Sequence, residues 1–543
     1  MAVFKQALKK PKTKVATATY EDMIRVFTLP ESDDSTLVKL EKQISNDLIG
    51  FLGEHIVAGD LSAKEIERHF SDTKIADDPV FVSEQTDFLL KQVVAQSVHT
   101  SSPSFIGHMT SALPYFMLPL SKIMFALNQN LVKIETSKAF TPLERQVLGM
   151  VHRLIYNNSD HFYKQNVQSH KTALGSFCSG GTIANLTALW VARSLLFKAQ
   201  GSFPGFSEAG WIKSLQYFGY QDIAVVMSER AHYSIEKSAK ILGIGNSGLI
   251  KVPTKHGQKI DLQALEKTLQ GLRKDKIAVL ALIGVAGTTE SGSVDPLTQM
   301  AGLAKQYGCY FHVDAAWGGP TLFSERFRHL LSGIELADSV TFDAHKQLYV
   351  PVGGGMVLFK DPKALQSIEH HAQYIIRKGS RDLGRHSIEG SRPGMALLTH
   401  SALRVLGRKG LALLIELGIE KAQLFAKLIK EDPDFELMAE PELNLINYRY
   451  VPTNLRKQLK TASNSQKRDA LNEQINTITI DIQKTQRELG KTFVSRTSLS
   501  FPEYGSKSIT VFRAVLANPL TSPEILKNIL QEQKQIALQL GYS

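Results

Sequence analysis

Residues 278–285 read Ala-Val-Leu-Ala-Leu-Ile-Gly-Val, apolar at odd and even positions alike. Successive side chains of a strand point to opposite faces, so a strand with this pattern must be covered on both. A buried helix could share the apolar run, but Gly284 and the following Gly287-Thr288-Thr289 end it too soon. Similar short runs recur at 223–227, 248–252, 310–313, 339–342 and 354–359, separated by helical stretches. Strands alternating with helices predict an α/β domain on a mostly parallel sheet with helices on both faces.

The flanks differ in character. Leu37, Leu40, Ile44, Leu48 and Ile49 recur mostly at three- to four-residue spacing, which predicts a helical N-terminal segment over 1–104. The large α/β domain is then placed at 105–400. Within it, the stretch 105–132 with Gly107, Pro114 and Pro119 predicts a loop followed by a buried helix. Thr141-Pro142-Leu143-Glu144 predicts a helix start with Thr141 as cap. Strand-like runs at 443–450, 491–496 and 508–516 surround Leu471, Ile475, Ile478 and Ile482 at helical spacing, which predicts a small α+β domain over 401–543.

Composition narrows the function classes. The chain is 43% hydrophobic and 21% charged, ordinary for a globular enzyme. Its longest apolar runs are too short or too broken by Pro114, Pro119 and Lys122 to span a bilayer. The start carries Lys5, Lys9, Lys10, Lys12 and Lys14 without an apolar core, so it reads as a basic arm and not a secretory signal. Two cysteines, Cys178 and Cys309, make neither a disulfide framework nor a metal-ligand cluster and suit a cytoplasmic location. The net charge of +11 raises nucleic acid as a partner. Apart from the arm, however, the basic residues are scattered among acids, with no basic stripe interleaved with aromatics.

Four short motifs then stand near strand ends. Ser179-Gly180-Gly181-Thr182 opens a helix, and glycines there let backbone N–H groups approach an anion. Glu229-Arg230-Ala231-His232-Tyr233-Ser234 places an imidazole after a strand. In His312-Val313-Asp314-Ala315-Ala316-Trp317-Gly318-Gly319, Asp314 ends a strand where ligands of open α/β sheets sit. Ala316 is small enough for a flat ring to lie against it, and Gly318-Gly319 leaves room beside it. Asp343-Ala344-His345-Lys346 offers an amine that desolvation would make nucleophilic toward an aldehyde. Any one of these alone is more simply a cap, a loop or a surface residue. Together they answer a phosphate, a ring face, a ring nitrogen and an aldehyde.

With these motifs and Ala286-Gly287-Thr288-Thr289, the chain from about 103 onward resembles the group II pyridoxal-phosphate decarboxylases, the family of glutamate and aromatic-amino-acid decarboxylases. The resemblance implies the fold of type I pyridoxal-phosphate enzymes, with pyridoxal 5'-phosphate as cofactor. It implies that Lys346 carries the cofactor as a Schiff base, that His232 stacks on the ring, that Asp314 pairs with its nitrogen and that Ala316 packs on the other face. Gly180, Gly181 and Thr182, helped by Asp343, hold the phosphate. Thr288 or Thr289 lies near the ring hydroxyl, and His345 belongs to the same cofactor-binding motif. Many members carry Asn-Pro where this chain has Asp343-Ala344.

Tyr374 stands in the place of the family's loop tyrosine, which returns a proton to the substrate carbon, and its flanks through 391 read as a lid. Arg513, in Phe512-Arg513-Ala514, matches an arginine that holds a substrate carboxylate. His108 and Thr110 lie in the substrate-side loop, where glutamate enzymes carry Gln in place of His108. The resemblance therefore implies an acidic substrate: aspartate first, giving β-alanine for pantothenate synthesis, with glutamate or a diamino acid next. It also implies a homodimer with the active site at the subunit interface. An aminotransferase, or a basic protein with no catalysis, are the competing classes.

Overall fold

The computed structural model describes residues 41–46, 48, 61–110, 112–255, 258–371, 379–501, 504 and 508–542. The chain divides into two compact units, Met1–Phe105 and Ile106–Ser543. The basic arm and Tyr374 lie outside the described residues. In the first unit the helix Ala63–His69 starts at a reciprocal cap, where the Ser62 hydroxyl accepts from the Glu65 N–H and the Glu65 carboxylate accepts from the Ser62 N–H. A second helix, Val82–Gln92, follows.

The second unit is built on seven strands: β1 (Gly175–Cys178), β2 (Asp222–Ser228), β3 (Leu249–Val252), β4 (Ile277–Val285), β5 (Tyr310–Asp314), β6 (Ser339–Asp343) and β7 (Gly355–Phe359). They lie in the order β1-β7-β6-β5-β4-β2-β3. The central pairs from β3 to β6 are parallel, whereas β7 runs antiparallel to both β6 and β1. Six strands, β1 to β6, therefore end on the same edge of the sheet.

The two faces follow from side-chain alternation. Ala224, Val226 and Leu282 join a core with Leu265 and Leu269 of the helix Leu262–Lys274, Met300 of Leu297–Tyr307 and Val147 and Val151 of Phe140–Tyr156. Val225, Met227, Ala281 and Ile283 face the other way, onto Leu186 and Leu189 of the helix Gly181–Leu196 and Ile235 of Tyr233–Ile241. The double-sided apolar run of β4 is thus a strand sandwiched between helices, as its sequence requires.

A second, antiparallel sheet comprises β8 (Phe435–Leu437), β9 (Leu445–Tyr450), β10 (Ser495–Leu499) and β11 (Ile509–Val515), in the order β8-β9-β11-β10. Ile475 and Ile482 of the helix Ser465–Leu489 pack on it together with Tyr448 and Phe512.

Three local readings change. The helix expected to start at a Thr141 cap runs from Phe140, because Phe140 is buried and its N–H bonds to the Ser137 carbonyl; Thr141 sits in the first turn, 2.7 Å from the Ser137 hydroxyl. The helix expected to be buried, Met117–Leu127, buries only Met117 and Met124 and leaves Leu118, Ile123, Phe125 and Leu127 exposed. Gly318 and Gly319 serve backbone packing instead of leaving room beside a ring: a Cβ on Gly318 would come 2.4 Å from the Ala286 carbonyl oxygen, and one on Gly319 2.5 Å from the Phe342 ring.

Candidate active site

Five of these strand ends, those of β1, β2, β4, β5 and β6, surround a cavity of about 260 Å³. Lining it are Gly180, Gly181 and Thr182 beyond β1, His232 beyond β2, Thr289 beyond β4, Asp314 and Ala316 from β5, and Asp343, His345 and Lys346 from β6. Residues spread over more than 160 positions of sequence meet because parallel strands deliver all their carboxyl ends to one edge.

The cradle comes from the helix Gly181–Leu196. Gly180 at its N-cap is extended and offers no side-chain cap, so the first N–H groups remain available to an anion. The backbone there is crowded. A Cβ on Gly181 would approach Asp343 Oδ2 at 2.9 Å, and one on Gly355 would approach the Gly180 backbone at 2.6 Å.

Lys346 lies on the short helix Ala344–Gln347, and its Nζ is 3.2 Å from Asp343 Oδ2. Asp343 is almost fully buried, and its Oδ1 has no hydrogen-bond partner. A buried oxygen without a partner is costly, so this one is poised to accept from a bound group. His345 donates Nδ1–H to the Gly354 carbonyl, at 2.9 Å, which turns Nε2 toward Asp343 at 3.6 Å.

Asp314 sits across the cavity as an acceptor twice over: Oδ1 takes the Ala316 N–H at 3.1 Å and Oδ2 takes Asn185 Nδ2 at 2.9 Å. Donors on both oxygens fix the orientation of this side chain toward the cavity. Asn185 had no role in the sequence reading. Its amide orientation is set from behind, because its Oδ1 accepts from Thr341 Oγ1 at 2.6 Å and from His312 Nε2 at 3.0 Å. That leaves Nδ2 to reach Asp314 and also Ser234 Oγ, at 2.9 Å. The Ser234 hydroxyl in turn lies 2.8 Å from His232 Nδ1, which also accepts the Ser234 N–H at 3.3 Å. With Nδ1 accepting, the proton of a neutral His232 is on Nε2. Burial pulls the His232 pKa below its usual value, with the Lys346 ammonium acting the same way and the Asp314 and Asp343 carboxylates opposing it. Burial also depresses buried His312, to about 4.

The substrate-side residues are arranged differently. Thr289 lines the cavity, but the Thr288 hydroxyl is 2.7 Å from Ser291 Oγ and 3.1 Å from Ser293 Oγ and does not line it. Arg513 lies behind that wall: Nε donates to the Thr289 carbonyl at 2.5 Å, and Nη1 to Gly107 O at 3.2 Å and Ser495 Oγ at 3.3 Å. His108 does not line the cavity either; its pKa is lowered by partial burial and then by the Arg513 and Lys346 cations. The Thr110 hydroxyl is buried without a partner.

An uncapped helix end among glycines, an amine beside a carboxylate, a second carboxylate across the cavity and a neutral imidazole fit a flat nitrogen heterocycle bearing phosphate and aldehyde. These are the features of pyridoxal 5'-phosphate. Among the described residues, no helix is long and apolar enough to cross a membrane.

Comparison with known proteins agrees with this geometry. Residues 72–451 match the family model described as the pyridoxal-dependent decarboxylase conserved domain. The chain is 56% identical over 524 residues to an aspartate 1-decarboxylase of Aliivibrio fischeri, covering 96% of each chain. It is 27% identical over 381 residues to an L-2,4-diaminobutyrate decarboxylase of Acinetobacter baumannii, covering 68% of this chain and 72% of that one. Among solved structures, mouse CSAD superposes with a TM-score of 0.79 at 23% identity, covering 93% of this chain and 99% of the other, a likeness of fold.

Proposed function

The chain belongs to the pyridoxal-dependent decarboxylase family, and from that premise we propose that it removes the α-carboxyl group of L-aspartate, releasing carbon dioxide and β-alanine. One observation carries the reaction class: Lys346, Asp314, His232 and the glycine cradle line a single cavity at the sheet edge. The choice of aspartate is supported by the 56% identity to the Aliivibrio enzyme.

The bound cofactor supplies an electron sink for the Cα–carboxyl bond. The protein's share is binding, orientation and proton management. Gly181 and Thr182 would hold the cofactor phosphate through backbone N–H groups, and Lys346 Nζ would bind its aldehyde carbon. Asp314 would pair with its ring nitrogen and favour the protonated ring that serves as the electron sink. His232 would offer an imidazole face and Ala316 a small methyl beside the ring. The Cα–carboxyl bond breaks to give carbon dioxide, and Cα takes one proton, which we assign to Tyr374. Arg513 and His108 are assigned to the side-chain carboxylate, Arg513 because its Nε and Nη1 are already tethered and the guanidinium is pre-oriented. Thr110 is assigned to the same subsite.

We also infer a homodimer acting in the cytoplasm to supply β-alanine for pantothenate. The exposed apolar side chains of Leu118, Phe125 and Leu127 support a second copy as partner. The absence of a disulfide between Cys178 and Cys309 suits a reducing compartment.

Steady-state kcat/KM values for aspartate, glutamate, cysteine sulfinate and diaminobutyrate test the substrate. Aspartate is expected to lead glutamate by about tenfold or more, the discrimination one methylene allows. A higher value for glutamate would overturn the substrate assignment, and keto-acid-dependent turnover without carbon dioxide release would overturn the reaction class.

A further inference from the structure

Three buried polar groups close a triangle beside the lysine helix that no step described above uses. Gln347 Nε2 donates to the Trp317 carbonyl at 2.7 Å, Trp317 Nε1 donates to Asn444 Oδ1 at 3.0 Å, and Asn444 Nδ2 donates to Gln347 Oε1 at 2.7 Å. Each of the three residues is only 2% exposed. Trp317 follows Asp314 in the loop beyond β5, Gln347 follows Lys346, and Asn444 directly precedes β9 of the second sheet. The triangle thus joins the loop of the acid, the helix of the amine and the C-terminal sheet.

Its corners are themselves held. The Asn444 carbonyl accepts the Leu516 N–H at 2.8 Å. A Cβ on Gly287 or Gly318 would come 3.1 or 3.2 Å from Leu443 Cδ1, so the chain at 443–444 is packed on the loops beyond β4 and β5. The helix that carries Lys346 has only four residues, Ala344–Gln347, and a single turn does not hold itself. It needs anchors outside itself. Tyr349, just beyond it, supplies one: its φ of +58° is unfavourable for a bulky residue, and its hydroxyl donates to the Ala517 carbonyl at 3.1 Å. Gln347 supplies the other from within the turn. Apolar side chains could fill the same space without any polar cost; what directed hydrogen bonds add is one allowed arrangement of three chain segments.

We propose that Gln347 is a positioning residue: held by Trp317 and Asn444, it fixes the turn bearing Lys346 so that Nζ meets the cofactor aldehyde in a set geometry. Gln347 itself does not line the cavity. This role rests on the assignment of Lys346 to that aldehyde. The bond between Nζ and the aldehyde carbon forms with loss of one water, at a rate that depends on how well the amine is placed.

Two probes added to the full-length enzyme stripped of cofactor test this. Pyridoxal 5'-phosphate reports capture of the aldehyde through growth of the visible band. Pyridoxine 5'-phosphate, with an alcohol in place of the aldehyde, reports binding of phosphate and ring alone. In Gln347→Met, capture of the aldehyde should slow about tenfold while affinity for the alcohol is unchanged. Asn444→Ala, which leaves Gln347 its bond to the Trp317 carbonyl, should slow capture by less, and it decides the matter should Gln347→Met fail to fold. Tyr448→Phe, which removes a buried bond to Gln533 Oε1 of 3.1 Å in the core of the second sheet, should lower the melting temperature without slowing capture. An unaltered capture rate in the folded triangle variants, a parallel loss of affinity for both probes, or an equal slowing in Tyr448→Phe would overturn the proposal. Borohydride labelling separates the two layers: a label away from Lys346 in the unaltered enzyme overturns the assignment of the lysine, whereas a label on Lys346 with unaltered rates in the variants overturns the positioning role alone.

Discussion

The two sides of the cavity are built to different standards. On the ring-nitrogen side, Asp314, Asn185, His312, Thr341, Ser234 and His232 form one chain of hydrogen bonds, most between 2.6 and 3.0 Å. On the carboxylate side, Thr110 Oγ1 and Glu290 Oε2 are buried without partners, and burial raises the Glu290 pKa despite the nearby Arg230 and Arg513 cations. A closed network suits a group that never leaves, because its dipoles are set before any reaction. Open valences suit a group that arrives and departs each turnover, since they are satisfied only in the complex. The ring-nitrogen end is therefore rigid in its polar geometry, and the substrate end completes itself on binding.

That contrast can be broken experimentally. The largest effect is expected from Asp314→Asn, which removes the carboxylate assigned to the ring nitrogen: kcat should fall about 10²–10³-fold or more, with the fold intact by circular dichroism. Unchanged kcat would mean the nitrogen side carries no electronic role.

Acidification comes next. His312 and His152 have pKa values depressed by burial to about 4. Their folded values lie below the unfolded value of about 6.5, so the unfolded chain binds more protons between these limits. Their contribution to stability is complete above about pH 6.5 and is lost as pH falls toward 4, by up to about 1.4 kcal/mol per pH unit for each histidine. Denaturant titrations across that range check the slope; a flat profile would contradict the burial of these two imidazoles in neutral form, His312 in the Asn185 network and His152 against the Tyr163 hydroxyl and the Phe359 carbonyl.

Asn185→Ala should cost about 1–3 kcal/mol of stability, because it strands Asp314 Oδ2, His312 Nε2 and the Thr341 hydroxyl, and it should weaken cofactor binding in apoenzyme titrations. Arg513→Lys should leave cofactor affinity unchanged yet lower kcat/KM for aspartate by about tenfold, since an ammonium cannot hold the Thr289 and Gly107 carbonyls and still present a fixed N–H to the substrate. Equal loss of cofactor binding in both variants would erase the distinction between the two sides.

Much of the fold was legible in the sequence. Strands covered on both faces show as apolar runs of both parities, and the residues at their ends were those that now line the cavity. Strand direction was not legible, because apolar patterning is the same for the antiparallel β7 as for its parallel neighbours. The short β8 carried no signal, with only three residues. Asn185 was missed because its importance depends on which helix face it occupies and on partners as distant as Asp314 and Thr341. The Met117–Leu127 helix misled because an apolar stretch of sequence does not reveal how much of it is covered. Gly318 and Gly319 suggested open space, but they mark close backbone packing.

Borohydride reduction of the cofactor-loaded enzyme, followed by proteolysis and peptide mass spectrometry, tests the central claim most directly. The reduced pyridoxyl group should be found on Lys346, with the visible absorption band lost in the same step. A modified side chain elsewhere, or a protein that takes up no cofactor and shows no band, would contradict it.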